Sequence, residues 1–381
     1  MAALPPQLDH NFCRDLRLAT QEVAGGVVPA RSREAFAHWH KWTTFCDDQR
    51  ISPLLDDCPD PIPFLQVFAH RFRHGQLNTS HREVRSRTVE NALRSVGQTL
   101  AAMGTPDPRY TSTGKIDFRL QRMLASYRKL DAPPLRVKPI PVPILRHISL
   151  QALRTNSEAD LAIADMICLG FFFLLRPGEY TGTTSETQPF HLQNVTLFVG
   201  PTRLDPLTTD IGRFAAATFV TLEFTTQKNS VRGECIGLGR SGDPSFCPVV
   251  AAARRVSHLR SHHAAGNQPL ASFFHPPTNA FRRLTPTDIT TTLRLATTIL
   301  GPAHGFLPDN VSARSLRASG AMALLCADVD SDRIQLIGRW RSDEMMRYLH
   351  VQAEPVMRDF SSRMLRGGHF TLLPGQDVPR P

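Results

Sequence analysis

Four short stretches of this 381-residue chain carry side chains able to act on a phosphate group. FFFLLRPGEY closes an apolar run with Arg176, Gly178 and Glu179. QKNSVRGE, between two strand-like runs, holds Lys228. SARSLRASGAMALL sets Arg314 and Arg317 one turn apart on one predicted helix face. IGRWRSDEMMRYLH sets Arg339 and Trp340 nine and eight residues before Tyr348. A guanidinium grips phosphate with two parallel hydrogen bonds, an ammonium is a compact proton donor, and a phenol can be a nucleophile. Singly, each stretch has a plain reading: a capping charge, a solvated turn, an exposed basic face, a half-buried aromatic. The order and spacing of all four together call for a common explanation.

On these motifs the sequence resembles the tyrosine recombinase (phage integrase) family, and within it the divergent integrase-like proteins of eukaryotic mobile elements. The likeness covers residues 149–365 by motif and the N-terminal part by helix count and position. It implies that Arg176 with its companion Glu179, Lys228, Arg317 and the nucleophile Tyr348 form the active site. Two positions depart from the family pattern. Arg314 stands where the family has histidine. The related type IB topoisomerases carry a lysine there, so a basic group is compatible with activity, but arginine stays protonated and cannot act as a base. At the later His/Trp site, Trp340 is the favoured occupant with a one-residue shift, and Arg339 the alternative. The implied assembly is a homo-tetramer on double-stranded DNA, joined by exchange of a short C-terminal helix over 356–365.

The chemistry the family performs suits these residue types. Breaking a DNA strand without a metal or ATP requires a nucleophile, an acid for the leaving oxygen, and fixed positive charge around phosphorus. Tyr348 would form a 3′-phosphotyrosyl ester that preserves the bond energy. Arg176 and Arg317 would clamp the non-bridging oxygens, Lys228 would protonate the departing 5′ oxygen, and Trp340 would pack against or donate to the phosphate. Of the other tyrosines, Tyr110 and Tyr127 lie in the N-terminal part and Tyr180 adjoins the first arginine motif. Two alternatives remain: topoisomerase-like relaxation by a single protomer, and a catalytically silent DNA-binding descendant of an integrase.

Composition sets the outer bounds. The net charge is +10, and only five of the 44 basic residues are lysines (Lys41, Lys115, Lys129, Lys138, Lys228), leaving 39 arginines. That bias points either to a polyanionic partner, nucleic acid first, or to a GC-rich genome. The stretch 70–87 concentrates Arg71, Arg73, Arg82, Arg85 and Arg87 against the single acid Glu83. It reads as a phosphate-contacting face or as a solvated basic one. The seven cysteines are scattered without C-x-x-C pairing, so neither a disulfide framework nor a zinc finger is expected. His258, His262 and His263 lack a second ligand pair and read as surface or core residues. No metal or cofactor is expected. The longest apolar run, 166–175, is too short to span a membrane. The N-terminus lacks a basic-then-apolar pattern, so a secretory signal is not expected; the expected location is nuclear for a eukaryotic source and cytoplasmic otherwise.

These residues must be positioned by a mainly α fold with a small antiparallel sheet. Residues 1–30 read as a loose leader. Residues 31–131 read as a four-helix DNA-binding unit, by resemblance the SAM-like core-binding domain, with helices over 33–49, 64–72, 86–103 and 118–130. Phe36, Trp39, Trp42 and Phe45 read as its core stripe. Five prolines between Pro133 and Pro143 mark a linker over 132–147. The catalytic domain spans 148–370, with a tail over 371–381. Within it, helices are expected near 150–153 and over 158–175, strands over 195–199, 219–225 and 235–238, then helices over 248–260, 287–300, 312–327, 331–337 and 342–351.

Overall fold

The computed structural model describes residues 10–25, 29–132, 137–181, 189–225 and 233–340. Lys228, Tyr348, the helices expected over 342–351 and 356–365, and the tail lie outside them. The chain divides between Pro134 and Leu135 into two units.

The first unit holds α1 (His10–Gly25), α2 (Pro29–Gln49), α3 (Ile62–Arg73), α4 (Ser86–Ala102) and α5 (Phe118–Leu130). Much of the expected leader is therefore helical: residues 10–25 are rich in good helix formers and contain no proline. Helices α2 to α5 close on a core of Trp42, Phe45, Leu65, Phe68, Phe72, Val89, Leu93, Val96, Leu120 and Leu124. The expected stripe on α2 is only partly inside. Trp42 and Phe45 are buried, Trp39 packs at the edge, and Phe36 is 73% exposed. A step of three residues falls about 60° short of a full turn, so three steps carry Phe36 to the side opposite Phe45.

The second unit begins with α6 (Val142–Thr155), α7 (Glu158–Phe172) and the one-turn α8 (Pro177–Tyr180). The last six residues of the expected linker, 142–147, are thus helix. Pro143 sits in the first turn of α6, where proline's missing N–H costs nothing. Helix α7 is buried over most of its circumference, from Ala162 to Phe171, as expected of a central helix. A four-stranded antiparallel sheet follows in the order β2–β1–β3–β4, from β1 (Val195–Val199), β2 (Thr202–Leu204), β3 (Phe219–Phe224) and β4 (Glu234–Gly239). Pairings such as Leu197↔Val220 and Leu222↔Ile236 set Val220, Leu222 and Phe224 inward. The chain continues through α9 (Pro248–Ser261), the hairpin β5 (Ser272–His275) and β6 (Ala280–Arg283), α10 (Pro286–Leu300), α11 (Ser315–Cys326) and α12 (Ser331–Gly338). Strands β2, β5 and β6, of three or four residues, are too short to show an alternation in sequence.

His258 on α9 is a core residue. Its Nε2 accepts the Phe274 amide at 3.0 Å and its Nδ1 faces Glu158 at 2.7 Å. His262 stacks on Phe274 with ring centroids 4.2 Å apart. Among the described residues no group of three or more His, Cys, Asp or Glu is placed to hold a metal, and no helix is long and apolar enough to cross a membrane.

Candidate active site

The site is built where the end of α7, the one-turn α8, the start of α11 and the end of α12 meet. Helix α7 ends in a Schellman motif: the Leu175 amide donates to Gly170 O at 3.0 Å and the Leu174 amide to Phe171 O at 3.3 Å, with Leu174 at φ 50°. Helix α12 ends the same way. The Trp340 amide donates to Gln335 O and the Arg339 amide to Leu336 O, both at 3.0 Å, with Arg339 at φ 57°. The negative ends of two helix dipoles therefore meet. Close approach is secured at Gly320 of α11, where a Cβ would lie 2.2 Å from Phe171 O. Tyr180, fully buried, donates its hydroxyl to Ala313 O at 2.7 Å and ties α8 to the entry of α11. Burial raises its phenol pKa, so Tyr180 stays protonated.

Three arginines fill this junction. Arg317, 3% exposed, donates Nη1 to Leu174 O at 2.6 Å and Nη2 to Gly338 O, so one planar fork bridges the two helix ends. Its guanidinium lies over the Trp340 ring at 4.2 Å. Arg339 is also buried, with Nη1 on Phe173 O and Ile337 O at 3.2 Å each, and Nη2 on Leu174 O at 3.3 Å and on Glu179 Oε2 at 3.0 Å. It packs 3.9 Å from the Phe224 ring centroid. Burial lowers its pKa, opposed by the carboxylates of Glu179 and Glu234, and an arginine remains charged. Arg176 lies at the surface of the cluster, with its side chain 26% exposed. It donates Nη1 to Glu179 Oε1 and its backbone amide to Glu179 Oε2, both at 2.8 Å.

Arg176, Glu179, Arg317, Arg339 and Trp340 are therefore brought together from three distant segments. Arg314 is not among them. Expected on one helix face with Arg317, it occupies the N-cap position before α11 begins at Ser315, and its side chain is exposed while Arg317 turns inward. Of the two residues considered for the His/Trp site, Trp340 meets Arg317 and Arg339 meets Glu179. Sequence reasoning missed Phe224 and Tyr180 as supports. The inward alternation of β3 announces Phe224, whereas nothing local announces the Tyr180 hydroxyl bond. Lys228 lies outside the described residues, but the base of its hairpin is described. The Gly233 amide donates to Phe224 O at 2.9 Å, beside Arg339.

The five arginines singled out over 71–87 divide. Arg82, Arg85 and Arg87 are exposed. Arg71 is half-buried over the Phe45 ring and donates to Gln49 at 3.4 Å. Arg73 is buried and is not a surface phosphate contact. It pairs with Asp131 and donates to Val84 O at 2.5 Å, because α3 turns this residue toward α5. Asp131, held also by the Ser86 amide and hydroxyl, has a lowered carboxyl pKa, first through the hydroxyl bond.

No protein-family profile matches the chain, and no curated protein sequence does. Among solved structures, the Tn1549 transposon integrase in complex with transposon right end DNA is similar at 13% identity, over 81% of this chain and 85% of that one, with a TM-score of 0.41. XerA recombinase is similar at 13% identity over 86% and 98%, with a TM-score of 0.36.

Proposed function

We propose that the chain breaks and rejoins DNA strands through a covalent link to Tyr348, as tyrosine recombinases do. The observation that carries this reading is the convergence at one junction of Arg176 with Arg317 and Trp340, which lie more than one hundred residues further along the chain. Two further features fit. The base of the Lys228 hairpin adjoins Arg339. Tyr348 follows Trp340 by eight residues in the sequence, as a nucleophile following the His/Trp site would. In the proposed step the Tyr348 phenol gives its proton to water and its oxygen attacks phosphorus, the P–O5′ bond breaks, and the 5′ oxygen takes a proton from the Lys228 ammonium, which recovers one from water. Attack by a 5′ hydroxyl reverses the step. Arg176 grips a non-bridging oxygen, and Arg317 adds fixed charge beside it. Exposed Arg82, Arg85 and Arg87 supply sequence-independent phosphate contacts. Assembly as a tetramer through the segment after Tyr348 belongs to the same reading.

The test is a suicide DNA substrate, which traps the covalent adduct. The wild-type chain is expected to form an adduct at residue 348 and Tyr348→Phe none; an adduct that survives this change refutes the assignment. A second reading, a silent DNA-binding protein, is favoured by the inward-turned Arg317 fork. It predicts DNA binding with no adduct from the wild-type chain.

A further inference from the structure

We infer that Arg339 is a positioning residue that keeps the charge of Arg176 available to a DNA phosphate by taking the load of Glu179. The inference rests on the reading just given. Glu179 is 5% exposed and its two carboxylate oxygens face two arginines: Oε1 takes Arg176 Nη1 at 2.8 Å, and Oε2 takes Arg339 Nη2 at 3.0 Å. A buried carboxylate requires a full counter-charge. With one arginine present, that counter-charge is Arg176, and the pair is neutral. With two, the trio carries one net positive charge. Its solvent-facing member is Arg176, because the Arg339 side chain is only 2% exposed.

Among the described residues, Arg339 is held on several sides. Its terminal nitrogens meet the carbonyls of Phe173, Leu174 and Ile337 as well as Glu179, and its face meets Phe224. The αL turn that ends α12 points the side chain inward and leaves Trp340, the next residue, to Arg317. The two adjacent residues thus serve different arginines: Trp340 holds Arg317, and Arg339 reaches Arg176 through Glu179. Glu234 lies close enough to favour the charged form of Arg339.

The experiment compares adduct yield on the suicide substrate, and the salt dependence of duplex affinity, for the full-length wild-type chain, R339K, R339M, E179Q and R339M/E179Q. If Arg339 acts through Glu179, R339M lowers the adduct rate by about 10²-fold, as loss of one phosphate donor does, and shortens the log affinity–log salt slope by about 0.9. Removing the carboxylate then restores both, so R339M/E179Q stays within about threefold of E179Q alone. R339K keeps the charge and is expected to retain more activity than R339M. A full further loss in R339M/E179Q relative to E179Q overturns the inference. That comparison stands even where R339M by itself does not fold. Absence of adduct from the wild-type chain refutes the recombinase reading, and the inference with it; a wild-type adduct without rescue refutes the inference alone.

Discussion

Each guanidinium at the junction answers a different local demand. Arg317 meets one carbonyl from each of two helix ends and an aromatic face, Arg339 a carboxylate and three carbonyls, and Arg176 one carboxylate and the solvent. Lysine, a point charge with no planar fork, matches none of the first two. The same local logic governs His258. Its Nε2 accepts an amide hydrogen, so the ring must be neutral, and burial pushes its pKa down to about 4 from 6.5 despite the facing Glu158. Between those values the unfolded chain binds more protons than the folded one, so stability is whole above pH 6.5 and declines as pH falls toward 4. The expected loss is about 1–3 kcal/mol. Denaturant titrations at pH 7 and 4.5 measure it. His258→Gln is expected to flatten this part of the profile, and an unchanged slope would show that the histidine is not its source.

At the scale of elements, the site depends on how helices stop. Gly338 lies under the Trp340 ring so closely that an added Cβ would fall 1.6 Å from a ring carbon. Gly338→Ala is therefore expected to drive Trp340 off Arg317, at a cost of about 1–3 kcal/mol. Thermal unfolding and indole fluorescence report it; a variant with unchanged melting and emission would show the contact to be unimportant. Much of this layer is legible in sequence. Helix α5 occupies the expected span 118–130, and β3 lies within the strand expected over 219–225. The family resemblance drawn from the motifs implies that Arg176, Arg317 and Trp340 share a site, and in the structure the segments that carry them meet. What the spacing does not carry is direction. Arg73 reads as a phosphate-contacting or solvated cation and Arg317 as a phosphate clamp, both turned outward, because arginine is seldom buried. They go inside because Asp131, Leu174 O and Gly338 O, each distant in sequence from the arginine it meets, are waiting there. Likewise, no local pattern puts Leu174 and Arg339 in the αL region, where glycine is the usual occupant.

For the whole molecule, the basic excess divides into charges that face water and charges that hold the fold. Alanine at Arg82, Arg85 or Arg87 is expected to shorten the salt slope of duplex affinity by up to about 0.9 each and leave melting unchanged. Alanine at Arg73 is expected to destabilise the first unit by about 2–3 kcal/mol through the unpaired Asp131. Anisotropy titrations across salt, paired with calorimetry, separate the two classes; a melting loss for the Arg82 variant, or none for the Arg73 variant, would contradict the division. The bridge made by Arg317 has a further consequence. Its fork is the bolt that fastens two helix termini, the second of which precedes Tyr348 by ten residues in the sequence. A phosphate drawing one prong of that fork away would unfasten the end of α12. On the proposed function, engagement of a phosphate and loosening of that helix end would be a single event, and a molecule bolted more firmly at rest would cut DNA more slowly.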